Sequence, residues 1–400
     1  MSSYSSHFVR AFAACAAFSA CIALGAPTLA PIPAAPAYGQ PVQLQLRDSL
    51  GPIYLPATRY SRSRNILTVE YEYAPGVRFS PMRADFDLAP VDFGELAPGD
   101  YALEAHIFDM SRPSAPPQVV SSGLSVAPPS DYGMYTVPRE PQALEPMQVL
   151  VNSAAFVDPA TFRASVSGNV VRIDFDYYSH SPVLWGNPPP GAVPLGSVGV
   201  SGLAPGHYQL EGWGRAKDTG MSERYFARDL VIAPTAWVIE FYSPEKDHYF
   251  MTASSEEIAR LDSGAEPGWK RTGQRFKAWL RPEDAPVGVM PVCRFYAAGP
   301  SSHFYSANPA DCDWLKQLEQ MQRMQAQDAG KPFLGWGYEG TAFYSLAPQN
   351  GVCPGGMTAV YRAYNKGATG SNHRFMADAR QRAAMLVQWG DEGAAFCSPL

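Results

Sequence analysis

Apolar and polar residues alternate along two stretches in the first half of the chain. In ILTVEYEY (66–73), Leu67, Val69 and Tyr71 alternate with polar residues, and VVRIDFDY (170–177) repeats the pattern. A period of two predicts β-strands with one buried and one solvated face. Because the chain also carries 38 prolines and 34 glycines, we expect a mainly β protein of short strands joined by many turns.

The same part of the chain is a tandem duplication. Four blocks recur at offsets of 104 to 107 residues: QPVQLQL (40–46) and EPMQVLV (145–151), NILTVEYEY (65–73) and NVVRIDFDY (169–177), ELAPGDYALEAH (95–106) and GLAPGHYQLEGW (202–213), and LSVAPP (124–129) and LVIAPT (230–235). The nearly constant offset predicts two copies of one structural unit.

Each unit is predicted to be antiparallel, with about seven short strands, which fits a β-sandwich. Pro-Gly turns precede a late strand in both copies. The Leu-x-Pro-Gly-x-Tyr turn resembles one in bacterial immunoglobulin-like modules. The resemblance implies two tandem immunoglobulin-like β-sandwiches, at residues 38–130 and 131–235. Neither contains cysteine, so they lack the inter-sheet disulfide of antibody domains.

Residues 236–400 contain three further repeats, each with a strand, a turn, a strand with a histidine, a short helix, a tryptophan and a closing strand. The repeats span about 236–282, 290–347 and 357–400. Ser254 or Ser255 is the expected N-cap of the first helix and Asn308 that of the second. We expect a pseudo-threefold β-rich module with one short helix per repeat. A trefoil-like barrel and a less regular β/α arrangement both fit.

Three sequence signatures in this region resemble a known family. They are CRFY…SHFYSANPADC, GWGYEGTAFY, and the ending GVCPGGMTAVYRAYN…NHRF…FCSP. The family consists of secreted bacterial and fungal repeat domains of unknown function, which often end hydrolases and surface proteins. The resemblance covers about 160 residues, and the first repeat departs from it most. It implies a type of module and no particular activity.

Three histidines and three tryptophans recur with these repeats and are the candidate ligand-binding residues. They are His248, His303, His373, Trp269, Trp336 and Trp389. Each histidine precedes an aromatic residue by two positions, so three equivalent strands would present them alike. Meeting at a threefold axis, they would form a three-histidine metal site with an open position. We favour local packing instead, and predict neither a metal nor a cofactor. The tryptophans are expected to be core residues, with sugar stacking as the alternative.

The cysteines predict disulfides. Four of the six lie in the C-terminal region, an even number that suits an exported chain. Cys293 opens the second repeat and Cys312 lies in its helix, whereas Cys353 enters the third repeat and Cys397 closes it. The repeats favour the pairs 293–312 and 353–397 among the three possible pairings.

Residues 1–37 are predicted to be a signal peptide. The apolar run 11–26 is too short for a membrane span, and Ala35-Pro36-Ala37 is the preferred cleavage site, with Ala30 as an alternative. A lipoprotein anchor at Cys21 is disfavoured. We therefore expect a secreted or periplasmic protein without a membrane span. The formal net charge of −6 and the lack of basic tracts argue against nucleic-acid binding.

No catalytic motif is present: the chain has no Gly-x-Ser-x-Gly elbow, zinc-protease helix, phosphate loop or dinucleotide fingerprint. We therefore predict no catalytic residue and expect an exported modular binding or adhesion protein. Its partner would be a glycan or a cell-surface protein, bound through the C-terminal module. The alternatives are a secreted hydrolase or metal-binding protein that uses the repeated histidines, and a structural spacer. The oligomeric state is left open.

Overall fold

The protein is described from a computed structural model that covers residues 27–48, 59–63, 65–73, 86–87, 90–178, 193–367 and 370–400. The apolar run of the predicted signal peptide lies outside the described residues. The described chain is mainly β, as expected, with three α-helices in its C-terminal part. None of the helices in the described ranges is long and apolar enough to cross a membrane.

The first module consists of two sheets around one buried cluster. Its strands are β1 (Thr28–Ile32), β2 (Pro41–Asp48), β3 (Arg59–Ser63), β4 (Ile66–Tyr73), β5 (Phe86–Asp87), β6 (Val91–Glu95), β7 (Gly99–Asp109) and β8 (Gln118–Val126). β2 pairs with β1, β5 and β6, and the other sheet has the order β3-β4-β7-β8. The alternation in β4 places Leu67, Val69 and Tyr71 in the core with no exposed surface.

The second module has equivalent strands, several of them longer, in one six-stranded sheet. They are β9 (Gly133–Val137), β10 (Met147–Ser167), β11 (Val170–Tyr178), β12 (Val193–Val200), β13 (Gly206–Ala216) and β14 (Ser222–Ile232). The sheet order is β12-β10-β11-β13-β14, with β9 also on β10. β10 shifts register between Asp158 and Arg163, so one long strand takes the places of β2 and β3.

In each of the first two modules, one strand pairing is parallel and so differs from the antiparallel prediction. β4 pairs with β7 in parallel, and so does β11 with β13. In the first module the intervening strand β6 lies in the other sheet, on β2. The chain therefore crosses to the other sheet before β7, which then runs beside β4 in the same direction. Parallel strands require such a crossover connection. Alternation within a strand carries no information about this crossover.

The first module begins earlier than the sequence analysis placed it. β1 lies within residues 1–37 and pairs with β2, with Leu29 opposite Leu46. The second module has the same arrangement 105 residues later, where Met134 lies opposite Val151. Leu29 is 6 % exposed. A signal peptide that ended at Ala37 would thus remove a strand that is part of the repeated unit.

The C-terminal module has three repeats of strand, strand, helix and strand. Repeat one contains β15 (Thr235–Ser243), β16 (His248–Thr252), α1 (Ser255–Asp262) and β17 (Lys270–Trp279); repeat two contains β18 (Met290–Ala297), β19 (Ser302–Ser306), α2 (Pro309–Asp328) and β20 (Trp336–Ser345); repeat three contains β21 (Met357–Tyr364), β22 (His373–Met376), α3 (Ala379–Met385) and β23 (Gly390–Pro399). The N-caps Ser254, Asn308 and Asp378 each accept a backbone N–H at the start of their helix.

The closing strands of the three repeats meet in one buried apolar cluster. Phe276, Phe343 and Phe396, one from each closing strand, form a triangle with ring centroids 5.8, 5.6 and 5.6 Å apart. β17, β20 and β23 contact one another, and so do β16, β19 and β22. Both predicted disulfides are present, Cys293–Cys312 and Cys353–Cys397. Each joins two segments of a single repeat.

The first module packs directly against the C-terminal module. Lys270 donates to both oxygens of Glu70 at 2.6 and 2.7 Å, and Arg275 donates to Asp92 at 3.0 Å. Gly273 has a φ of +87°, and a Cβ there would lie 2.9 Å from a methyl carbon of Val91. The chain therefore folds back on itself after the second module.

Candidate functional site

The strand registers show which residues of the three repeats are equivalent. His303 lies opposite Tyr296 and His373 opposite Tyr364. In repeat one, the corresponding Tyr242 lies opposite Tyr249, so a tyrosine holds the histidine position.

His248 is therefore one residue out of register with the other two histidines, which corrects the predicted equivalence. It lies six residues before its N-cap, whereas His303 and His373 lie five before theirs. Successive strand residues point to opposite faces, so His248 faces the other way. It is 2 % exposed, and its Nδ1 contacts the carbonyl oxygen of Lys246. Counting back from the helix caps would have revealed the offset.

His303 and His373 lie at two successive boundaries between repeats. The His303 ring contacts Phe250 of repeat one at 4.7 Å, and the His373 ring contacts Phe304 of repeat two at 5.1 Å. Burial, and after it the charge of a neighbouring arginine, lowers the pKa of each histidine to about 3. Both imidazoles are neutral near pH 7. Among the described residues, no three His, Cys, Asp or Glu side chains are placed to hold a metal ion.

The three repeated tryptophans have different surroundings. Trp269 packs on Phe250 with ring centroids 6.0 Å apart, and Trp389 packs on Tyr249 at 6.1 Å. Both are partly buried and pack against buried apolar clusters. Trp336 contacts Phe304 at 6.2 Å and also lines a cavity.

The boundary between repeats one and two, hereafter the first boundary, is closed by an arginine. Arg294 donates from Nη1 and Nη2 to the two oxygens of Glu257 at 2.9 and 2.8 Å. Its Nε is 2.9 Å from Glu339, and its guanidinium lies 5.5 Å from the centre of the Phe250 ring. Burial alone would raise the pKa of Glu257. Hydrogen bonds from Arg294 and Thr252 outweigh this effect, so the pKa of Glu257 lies below its ordinary value. This two-point pairing fixes the fork of Arg294.

The boundary between repeats three and one, the third boundary, is closed by a different two-point ion pair. Glu240 occupies the position of Arg294, and Arg374 occupies the position of Phe250. Arg374 donates to both oxygens of Glu240 at 3.0 and 2.9 Å and to Gln381 at 3.0 Å. The two charged side chains are only 1 and 6 % exposed. This boundary is also closed.

The boundary between repeats two and three, the second boundary, lacks this closing contact. Arg362 is equivalent to Arg294, and its Nε donates to Glu392 at 2.7 Å. Asp311 takes the place of Glu257 and is one methylene shorter. It accepts from Ser306 at 2.8 Å and from Asn308 at 3.2 Å. No acid within the described ranges meets Nη1 or Nη2 of Arg362.

A cavity of about 330 Å³ occupies this second boundary. Its lining includes Asp311, Trp314, Trp336, Arg362, His373 and Glu392. The volume is within the range of small-ligand sites. Nδ1 of His373 is buried without a hydrogen-bond partner among the described residues. The cavity is therefore lined by the tryptophan rings and by polar groups that lack a full set of partners among the described residues.

Trp314, like Arg362, Asp311 and Glu392, lines the cavity but was not among the predicted site residues. It lies on α2 and is 61 % exposed. The equivalent positions, six residues after each N-cap, hold Arg260 in α1 and Ala384 in α3. Because Trp314 does not recur in the other two repeats, recurrence does not mark it. The available signal was a tryptophan on the polar face of a helix, where packing does not require one.

Comparisons with known proteins identify only the C-terminal module. A DUF5648 domain, described as a domain of unknown function, is found at residues 237–399. This agrees with the resemblance drawn from the repeats. No curated protein and no solved structure matches the chain.

Proposed function

We propose that this is an exported modular binding protein whose C-terminal module binds a glycan in the cavity at the second boundary. The observation that carries the proposal is the combination of an exposed Trp314, a second tryptophan at position 336, and Arg362, whose terminal nitrogens meet no acid in the part of the chain that the structure describes. The other two boundaries of the same module are closed by ion pairs. The cavity is thus a local departure from the repeat.

The chemistry of the lining suits a sugar. A pyranose ring presents C–H groups on its faces and hydroxyl groups at its edge. Trp314 and Trp336 offer flat apolar surfaces with polar edges, and Arg362, Asp311 and Glu392 supply donors and acceptors around them. Ligand sites in general combine aromatic walls with a few placed polar groups. The lining has this composition.

The surroundings of the acids favour binding over hydrolysis. A glycosidase needs two carboxyl groups held across the scissile bond, one of them as a proton donor. Glu392 is paired with Arg362, and Asp311 accepts from Ser306 and Asn308. The repeated histidines, which a hydrolase was expected to use, lie on different strands at different boundaries.

The rest of the chain is assigned to presentation of this module. We take the two N-terminal modules to be immunoglobulin-like sandwiches, supported by the two sheets around one core in the first of them. Export through an N-terminal signal peptide is supported by the two disulfides, which persist in oxidising compartments. The first module packs directly on the C-terminal module, which argues against the function of a simple spacer.

The test is a glycan array probed with the full exported chain, followed by titration of the strongest ligand. Trp314→Ala is expected to lower the affinity at least tenfold while the thermal unfolding temperature stays unchanged, because the side chain is exposed. Tyr132→Ala is the matched control, since Tyr132 is 68 % exposed and lies in the second module. Absence of binding to every glycan, or equal binding by both variants, would contradict the proposal.

A further inference from the structure

We infer that the ligand presents a neutral vicinal diol to the cavity, bound between Arg362 and Asp311, and that acidic sugars are discriminated against. This inference rests on the proposed glycan binding and specifies which class of sugar the second boundary accepts. It follows from a comparison of the groups that fill the equivalent space at the first boundary with those that line the cavity.

The first boundary shows what the fork of the arginine accepts. Nη1 and Nη2 of Arg294 take two oxygen atoms at 2.9 and 2.8 Å, both from Glu257. Arg362 is held by its Nε in the same way, through Glu392 in place of Glu339. Its fork is therefore oriented toward the cavity, where Asp311 is too short to replace Glu257. Two adjacent oxygen atoms of a ligand would complete the pairing.

The charges of the cavity decide between a carboxylate and a diol. Arg362 is the one cation among the nine residues that line the cavity, and Asp311 and Glu392 are two anions. His373 is neutral near pH 7, because burial lowers its pKa to about 3. The lining is thus already one negative charge in excess. A carboxylate on the ligand would add a third anion beside one arginine, whereas a diol adds none.

A diol also matches both kinds of hydrogen-bonding group. A hydroxyl both accepts and donates, whereas an ionised carboxylate only accepts. The two diol oxygens can accept from Nη1 and Nη2 of Arg362, and their protons can go to acids. Asp311 accepts one hydrogen bond at each oxygen from Ser306 and Asn308, which leaves acceptor capacity on the carboxylate. Arg362 and Asp311 would then both gain a partner.

The experiment compares neutral and acidic sugars of matched shape on the full chain. The probes are the methyl glycosides of glucose, galactose and mannose, and the methyl glycosides of the corresponding uronic acids, which keep the ring hydroxyls. Affinities are measured by ligand-observed NMR titration at pH 7. We expect at least one neutral glycoside to bind at least tenfold more tightly than its uronic acid.

Asp311→Asn is the diagnostic variant because it removes one of the two anions. It is expected to reduce the preference for the neutral sugar at least threefold. Asp313→Asn is the matched control, since Asp313 lies on the same helix, is exposed and does not line the cavity. It should leave the preference unchanged. Thermal unfolding of both variants reports whether the fold is intact.

The outcomes separate the two proposals. Tighter binding of the uronic acids through Trp314, or an unchanged preference in Asp311→Asn, would overturn the diol inference and leave glycan binding standing. If neither these probes nor the arrayed glycans bind, the proposed function itself is wrong. If binding survives Trp314→Ala, the site lies elsewhere and both proposals fail.

Discussion

The first and second boundaries of the C-terminal module are built from equivalent residues. The acid beside the arginine differs by a single methylene group, because it is Glu257 at the first boundary and Asp311 at the second. Each has an arginine whose Nε is held by a glutamate of the closing strand, Arg294 by Glu339 and Arg362 by Glu392. Glu257 then reaches the fork of Arg294, whereas Asp311 stays on its own repeat. The same repeat thus produces a closed joint at one boundary and a cavity at the other.

Equivalent positions in the two repeats therefore have different surroundings, and under the proposed function they have different roles. At the first boundary the acid satisfies the arginine internally, and the contact contributes to stability. At the second boundary no acid among the described residues meets Nη1 or Nη2 of the arginine, and Trp314 lies in the same cavity lining; under the proposed function these groups bind the ligand. A repeated residue is therefore not a repeated function, and the candidate site is found where the repeats cease to match.

The largest expected effect concerns the third boundary, where the ion pair is fully buried. Arg374→Met leaves Glu240 buried without its cation and should lower the free energy of unfolding by about 3–5 kcal/mol. The measurement is the urea midpoint of the full chain. The double variant Arg374→Met with Glu240→Leu should recover most of this loss, because no charge is then left buried. A double variant as unstable as the single one would mean that packing, and not charge, closes this boundary.

Glu257→Gln tests the first boundary against the second. We expect it to cost about 2 kcal/mol, between the values for exposed and buried pairs, because the pair with Arg294 is partly buried. The matched variant Asp311→Asn should cost less than about 1 kcal/mol, since Asp311 does not pair with Arg362. Urea unfolding of the two variants decides the matter. Equal costs would show that the two boundaries do not differ as described.

Acid should destabilise the module through its two boundary histidines. Their pKa is about 3 in the folded protein, against about 6.5 in an unfolded chain. The unfolded state thus binds more protons between these values, and stability falls as the pH decreases from about 6.5 toward 3. The slope is at most about 1.4 kcal/mol per pH unit for each histidine.

This pH dependence is measured as the unfolding free energy between pH 6.5 and about 5.5, a window in which ordinary carboxyl groups stay largely ionised. The variant His373→Phe should show a shallower slope than the wild type, whatever its absolute stability. A slope that is unchanged in this variant would mean that His373 is protonated in the folded protein, contrary to its burial.

The smallest expected effect comes from restoring the closed joint. Asp311→Glu gives the second boundary the residue of the first, and Ser306 offers it the hydroxyl that Thr252 offers Glu257. We expect a gain in unfolding free energy of at most about 1 kcal/mol from the new pair with Arg362. Differential scanning calorimetry would detect it as a small rise in the unfolding temperature. A marked loss of stability would show that the longer side chain does not fit.

Much of this fold is encoded locally and could be predicted from sequence. Alternation marks β4 and β11, the repeats place the helices, and the cysteine positions within repeats indicate both disulfides. The parallel pairing of β4 with β7 could not be read from alternation, because it depends on which sheet the intervening strand joins. β1 was hidden because its residues follow directly on an apolar run that resembles a signal peptide.

The candidate site was predictable only in part, for a different reason. Trp336 and His373 were found because they recur, and the structure places both at the cavity. Trp314, Arg362 and Asp311 gain their role from mismatches between repeats, namely an added ring and a shortened acid. Such mismatches acquire meaning only when the strand register and the helix caps fix which residues are equivalent. Recurrence alone wrongly made His248 equivalent to His303 and His373, a position that Tyr249 holds.

The most direct test of the account is the affinity of one array-identified glycan for the wild-type chain and for Asp311→Glu, measured by isothermal titration calorimetry. The account predicts that the Asp311→Glu variant remains folded and that its affinity for the glycan falls at least tenfold. The glutamate carboxylate would accept from Nη1 and Nη2 of Arg362 and so take the place of the ligand. Unchanged binding in a folded Asp311→Glu variant would contradict the claim that the open second boundary is the ligand site.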